Sequence, residues 1–407
     1  MKNAGFFFII SCSLLLFFYR AAKNNSVTVL FILDHNRMLI DADMKRNDGS
    51  MRKARLWIDS GNPDFFMSKA LARDLGIDLS EAAEKAVNGQ LKVPAPAGVQ
   101  INGMPLDFDS VNCVVVLQPF WLFSTMHNDA NLPSTVLKKY HAVFDYPNMK
   151  ITLARPGTLE PRGRSIPAQV NPKTGIVQIE IDIDKEKFSF ALDNGASYSF
   201  GSEAVFTNLR ESHPDWPVHY CALGCANIWG WLPKEESWPM IRLQKIQSGP
   251  VKWLNTGLVC PPNFTPDGKG MMDWYSQKTA APVHGFLGTN ALKAFRVEID
   301  YLNKAVYFEK STDFDTADTD IIGLTLRPEK DGSYSVIGTV VKDGKPAVKG
   351  VKTGDILLQV DGLKTAGQTM GTVIDALRGR PGDVRRLILE RNGERLTIEA
   401  RVERFLE

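Results

Sequence analysis

The sequence predicts a mainly β protein in which two related β-rich lobes form one body and a smaller unit follows at the C-terminus. Three observations predict it. Short segments rich in Val, Ile, Phe and Tyr, separated by Gly, Pro, Asn and Asp, run from residue 26 to residue 310. One stretch of these segments occurs twice. Near residue 318 the pattern changes to that of a separate unit of about 90 residues, within the usual range for a domain.

The strand-like segments include "SVTVLFIL", "RMLIDADM", "ARLWID", "CVVVL", "KITLA", "IVQIEIDI", "FSFALD" and "AVYFE". Few stretches read as helix. "SKALARDLGI", 68 to 77, places Ala70, Leu71 and Leu75 on one helical face and ends at Gly76, a residue suited to a helix C-terminus. The repeat aligns residues 131–153 with 286–308 without a gap, at the offset given by Asp300 minus Asp145, 155. Leu132, Leu137, Lys138, Asp145, Tyr146 and Asn148 recur as Leu287, Leu292, Lys293, Asp300, Tyr301 and Asn303. These features divide the chain into a leader (1–24), a first lobe (26–157), a second lobe (165–310) and the C-terminal unit (318–407), with "RPGTLEPRGRSIP" and the acidic "TDFDTADTD" as connectors. In the last unit, Asn392-Gly393 between two strand-like runs signals a hairpin.

The chain has 407 residues, 44% hydrophobic and 23% charged, enough for a sizeable core, and a net charge of +2 without long basic tracts. A nucleic-acid partner is therefore not expected. Residues 6–19, "FFFIISCSLLLFFY", are shorter than the ~20 residues of a membrane span and suit the apolar part of an export signal. Neither Tyr19-Arg20-Ala21 nor Arg20-Ala21-Ala22 has a small residue first, so an uncleaved membrane anchor stays open, as does, more remotely, lipidation at Cys12. The expected location is exported: periplasmic, extracytoplasmic or membrane-anchored. Cys113, Cys221, Cys225 and Cys260 permit two disulfides in any of three pairings. "VHYCALGC" with His219 lacks a matching second ligand pair, so neither a metal nor a cofactor is expected.

Two stretches carry the chemistry: "WIDSGNPDFF", 57 to 66, and "ALDNGASYSF", 191 to 200. Each ends an apolar strand with Asp-x-Gly. Alone, either is an ordinary turn. Duplicated in two related lobes, they bring Asp59 and Asp193 to the axis between the lobes. Two carboxylates there share one proton, because both cannot ionise easily at close range. The ionised one takes a proton from water, and the neutral one donates to a carbonyl oxygen.

These motifs resemble those of the retropepsin-like and pepsin-like aspartic proteases, whose lobes each carry Asp-Thr/Ser-Gly-Ala-Ser/Thr and, later, a hydrophobic-hydrophobic-Gly segment. "DNGAS" and "FLG" (286 to 288) match in the second lobe. The resemblance implies a catalytic pair, Asp59 and Asp193, supported by Ser60, Gly61, Asn194, Gly195 and Ser197. It also shows departures. Ser60 offers the hydroxyl that braces the two loops, whereas Asn194 offers an amide. Ser197 offers the hydroxyl that bonds its aspartate, whereas the aligned Pro63 cannot. Asn131-Leu132-Pro133 replaces the bracing turn of the first lobe, and Asp64 adds a carboxylate near Asp59.

The C-terminal unit resembles a PDZ domain, with "GVKTGDILLQVDG" as its most specific stretch and "IIGLTL" at the carboxylate-binding loop. Gly323, Leu324 and Thr325 are the implied peptide-binding residues, taking chain ends by strand addition and backbone N–H groups; a closed groove that only packs is the alternative. "GCANIWGW", 224 to 231, stands where the family places its flap. No Gly-x-Ser-x-Gly elbow, Gly-Asn-Ser-Gly-Gly-like loop or His-Glu-x-x-His motif is present, which disfavours serine and zinc proteases. The expectation is an exported aspartic endopeptidase acting on peptide or unfolded protein substrates, with peptide C-termini held by the PDZ unit. The rivals are a catalytically weak or inactive peptide-binding protein and an envelope scaffold that assembles through PDZ contacts.

Overall fold

The computed structural model describes residues 25–80, 82–117, 121–221, 234–315, 317–342 and 345–406. The leader with its run 6–19 and Cys12, the segment 224–231 and Cys225 lie outside them. Among the described residues no helix is long and apolar enough to cross a membrane.

The fold is mainly β, with a two-lobed body and a C-terminal unit. A six-stranded antiparallel sheet joins the lobes. Its strands, in spatial order, are Ser26–Leu30, Lys150–Ala154, His141–Asp145, Phe295–Asp300, Ala305–Lys310 and Arg164–Pro167. The two central strands are copies of the repeat, and Val143 pairs with Glu298, its own counterpart at the offset of 155. The flanking pairs, Ala142 with Ile299 and Phe144 with Val297, exchange under the same offset. A local twofold axis therefore passes through the Val143–Glu298 pair. The recurring Asp and Asn are hairpin chemistry: the Asn148 N–H donates to Asp145 at 3.2 Å, and the Asn303 N–H to Asp300 at 3.1 Å.

Above this sheet the lobes repeat one topology. In the first, Met51–Asp59 lies parallel to Ala130–Pro133, which pairs antiparallel with Phe65–Ser68, itself parallel to Cys113–Val116. In the second, Glu186–Leu192, Gly285–Leu287, Ser199–Gly201 and Val251–Val259 take the same places and directions. The strand following each Asp-x-Gly loop thus turns back beside the repeat strand, and the loop is pinned on both sides. Gly285 and Gly288 allow this. A Cβ at Gly285 would lie 2.2 Å from the Phe200 carbonyl oxygen, and one at Gly288 2.2 Å from that of Tyr198.

The helix expected at 68–77 is Lys69–Asp74, capped by the Ser68 hydroxyl and followed by Gly76 at φ +81°. Its buried face is Leu71, Ala72 and Leu75; Ala70, expected there, is exposed, and Ala72 takes its place. Asn392 and Gly393 both have positive φ and close the hairpin of Val384–Arg391 with Glu394–Arg401.

The C-terminal unit is a sheet in the order Leu324–Pro328, Tyr334–Thr339, Ile356–Val360, Val384–Arg391 and Glu394–Arg401, with the helix Met370–Leu377 packed on it. Its apolar cluster also contains Leu39, Trp57 and Met126 of the body, so the two parts share buried surface. The acidic connector is held by ion pairs: Asp318, buried, meets Arg242 at 2.8 Å, and Asp315 meets Lys293 at 2.6 Å.

Candidate active site

Asp59 ends the strand Met51–Asp59, and Asp193 follows the strand Glu186–Leu192; both side chains are buried. The two loops cross reciprocally. A Cβ at Gly61 would lie 2.2 Å from Asp193 Oδ2, and one at Gly195 2.6 Å from Asp59 Oδ1 and 3.1 Å from Asp193 Oδ1. Gly61 thus abuts the Asp193 carboxylate, and Gly195 that of Asp59. Glycine is required at both positions because each loop's backbone occupies the space where the other's carboxylate begins.

The bracing is asymmetric. Ser60 Oγ accepts the Asn194 N–H at 2.9 Å and lies 3.1 Å from the Leu192 carbonyl and 2.8 Å from the Asn194 amide oxygen, either of which takes its proton. The reciprocal half is rebuilt. Asn194 Nδ2 donates to the Tyr146 hydroxyl at 2.5 Å, and Thr289 Oγ1 donates to the Asn194 carbonyl at 3.3 Å. Tyr146, one of the residues that recur in the repeat, directly follows the central strand His141–Asp145 and reaches the loop from there.

The first lobe's missing hydroxyl is replaced in a similar way. Asn131 Nδ2 lies 3.4 Å from Asp59 Oδ2 and 3.0 Å from the Asp64 carbonyl, while its Oδ1 accepts the Phe66 N–H at 2.7 Å. Asn131-Leu132-Pro133 thus brings a side-chain amide to Asp59. In the second lobe the expectation needs correcting: Ser197 Oγ donates to the His35 carbonyl at 2.5 Å rather than to Asp193. Asp193 Oδ1 instead accepts the Gly195 N–H at 2.8 Å.

Burial raises the pKa of both carboxylates. Asp59 is held well above the usual range by burial and then by the charge of Asp193, while the Asn131 amide works against the shift. Asp193 is pushed up to about 6 by burial, restrained by the N–H groups of Gly195, Ala196 and Gly61 and by Arg37. Asp64 instead accepts from the Asn112 amide at 2.9 Å. The arrangement can hold one proton between two acids. Tyr275, whose pKa burial raises first and both aspartates raise further, lies within their field. So does Lys278, its ammonium 3.8 Å from the Trp274 ring centre; burial lowers its pKa, and Asp64 and Asp59 oppose that. Neither was legible in the sequence, since only the fold carries the segment from Tyr275 to Lys278 to the two aspartates.

Gly323, Leu324 and Thr325 are buried. The Leu324 N–H donates to the Ile322 carbonyl at 2.6 Å, the Gly323 carbonyl accepts the Thr339 hydroxyl at 2.8 Å, and Thr325 Oγ1 lies 2.7 Å from Cys221 Sγ. A Cβ at Gly323 would lie 2.6 Å from the Phe405 ring. The loop expected to receive a carboxylate is closed in this arrangement. Cys113, Cys221 and Cys260 are buried free thiols. Among the described residues no cluster of His, Cys, Asp and Glu is arranged to hold a metal.

Residues 336–391 match the family model of the PDZ domain. No curated protein matches the chain. Among solved structures, the photosystem II D1 C-terminal processing protease is similar at 20% identity and TM-score 0.18, over 21% of this chain and 23% of that one. An aspartic proteinase from Irpex lacteus is similar at 11% identity and TM-score 0.39, over 72% of this chain and 99% of that one. The PDZ unit is thus established by its own sequence, and the reading of the body rests on the site's geometry.

Proposed function

We propose that the chain is an aspartic-type endopeptidase whose Asp59–Asp193 pair activates a bound water. The observation that carries this reading is the reciprocal crossing of the two loops, in which a Cβ at Gly61 would fall 2.2 Å from Asp193 Oδ2 and one at Gly195 2.6 Å from Asp59 Oδ1, so that each loop abuts the other's buried carboxylate. A water held between the two carboxylates gives its proton to the ionised one as its oxygen bonds to the peptide carbonyl carbon. The protonated carboxyl donates to the carbonyl oxygen, forming a neutral gem-diol. Collapse of the diol returns a proton to the amide nitrogen as the C–N bond breaks, and the pair regains its single proton. Extended or unfolded peptides fit such a cleft, and the leader 6–19 supports placing the activity outside the cytoplasm or at a membrane.

The pH profile tests this. Both acids are protonated in acid, so no base is present there. The monoprotonated pair forms as pH rises through about 6, the value for Asp193, and persists until the higher-lying Asp59 loses its proton. For an unstructured peptide, kcat/KM measured from pH 4 to pH 9 is expected to climb through about pH 6 and peak near neutrality. A maximum at pH 3 to 4 would contradict the proton assignment, and no hydrolysis at any pH would leave a peptide-binding body.

The PDZ unit is proposed to take peptide C-termini when its loop opens. Because the loop is closed here, the full chain should bind weakly, by the fraction of time it is open. In fluorescence anisotropy, a labelled peptide with a free carboxylate should bind better than its amidated twin; equal binding removes this role.

A further inference from the structure

The hairpin turn Asp34-His35-Asn36-Arg37 takes no part in the steps above. It joins Ile32–Asp34 to Arg37–Lys45, with φ +44° at His35 and +62° at Asn36. Asp34, His35 and Arg37 are buried, and a buried turn must find partners for its polar groups. They lie in two directions.

Toward the second dyad loop, the His35 carbonyl accepts the Ser197 hydroxyl at 2.5 Å, and the Asn36 amide donates to the Ser197 carbonyl at 3.3 Å. The His35 ring meets the Tyr198 ring edge-on at 5.6 Å. Toward the PDZ unit, Asp34 Oδ1 accepts the Gly371 N–H at 2.9 Å, in the first turn of the helix Met370–Leu377. That N–H has no partner within its own helix, and a carboxylate is favoured at this end of the helix dipole. Arg37 Nη1 lies 3.6 Å from Met370 Sδ. The approach is close enough to need glycine, since a Cβ at Gly371 would lie 2.7 Å from the His35 nitrogen and 2.8 Å from Asp34 Oδ2. A cavity of about 100 Å³, lined in part by His35, Tyr198, Ile374 and Arg378, lies beside these contacts.

We propose that the Asp34–Arg37 turn is a positioning element for the second dyad loop, and that the PDZ helix holds this turn in place, so that docking of the C-terminal unit sets the geometry of Asp193. The proposal rests on the endopeptidase reading for its catalytic consequence and on the bonds themselves for its structural one. Ser197, which the motif would assign to its own aspartate, is the link. Arg37 adds a buried positive charge whose field favours the ionised form of Asp193.

The test uses the full chain with Asp34→Ala, Asp34→Asn and Gly371→Ala. Asp34→Ala and Gly371→Ala are expected to lower kcat about tenfold with KM within about twofold, the mark of a displaced reacting group rather than lost binding. Asp34→Asn keeps an oxygen for the Gly371 N–H and should restore most of kcat. Hydrogen exchange read by mass spectrometry gives a measure independent of hydrolysis. Peptides covering 193–198 should exchange faster in Asp34→Ala and Gly371→Ala but not in Asp34→Asn, while peptides from 384–401 show that the PDZ sheet is intact. This pattern in a wild type that hydrolyses nothing would sustain the tether and reject the endopeptidase reading. Unchanged exchange at 193–198 in both disrupting variants overturns the proposal whatever the activity does. If Gly371→Ala fails to fold, the Asp34→Ala and Asp34→Asn pair decides.

Discussion

Asn in place of either Asp59 or Asp193 should lower peptide hydrolysis by about a thousandfold or more, within the 10²–10⁴ contributed by a positioned acid or base and at its upper part because each role is lost. Asn preserves the shape of both loops but neither takes a proton from water nor donates an acidic one. The two single variants and the double variant should fall to nearly the same residual rate, because the pair works as one unit through a shared proton. The measurement is kcat/KM on an unstructured peptide near neutral pH, with thermal unfolding to confirm that each variant is folded. Equal hydrolysis by wild type and both single variants would sink the dyad.

Gly61→Ala should be the most damaging methyl addition at the site. Its Cβ would sit 2.2 Å from Oδ2 and 2.3 Å from Cγ of Asp193. The carboxylate cannot simply swing away, since it is buried and its Oδ1 accepts the Gly195 N–H. The loops must therefore separate, and a displacement of about 1 Å costs roughly a hundredfold in rate. Overpacking of this kind also costs about 1–3 kcal/mol of stability. Gly98→Ala is the control: its Cβ would meet Lys45 at 3.5 Å, an ordinary contact, and activity should be unchanged. Full activity in Gly61→Ala would mean that the loops do not cross as described.

Tyr146, Asn131 and Ser197 show where sequence reasoning reached and where it stopped. The motif comparison correctly marked Asn194 and Pro63 as unable to make the expected hydroxyl bonds. It could not see that a Tyr 48 residues away and an Asn 72 residues away from the groups they bond fill those places. Nor could it see that Ser197 turns to a turn 162 residues earlier. Hydrogen-bond partners are chosen by proximity in space, and a donor missing from a motif is an open position that any nearby chain segment can fill.

The PDZ unit shows the same division. Its Asn392-Gly393 hairpin follows from turn chemistry. The closure of its Gly323-Leu324-Thr325 loop does not, because it depends on Cys221 and Phe405 arriving from elsewhere in the chain.

By itself, the sequence determined the mainly β class, the duplicated lobes, the two Asp-x-Gly loops and the PDZ unit. Each of these is written in residue spacing, alternation and backbone preference, which act locally. The tertiary structure alone decided that the loops interlock through Gly61 and Gly195, that burial raises both carboxylates, and that the PDZ helix reaches the dyad through Asp34–Arg37. Those outcomes depend on close approach and exclusion of water, which exist only once distant segments have packed together.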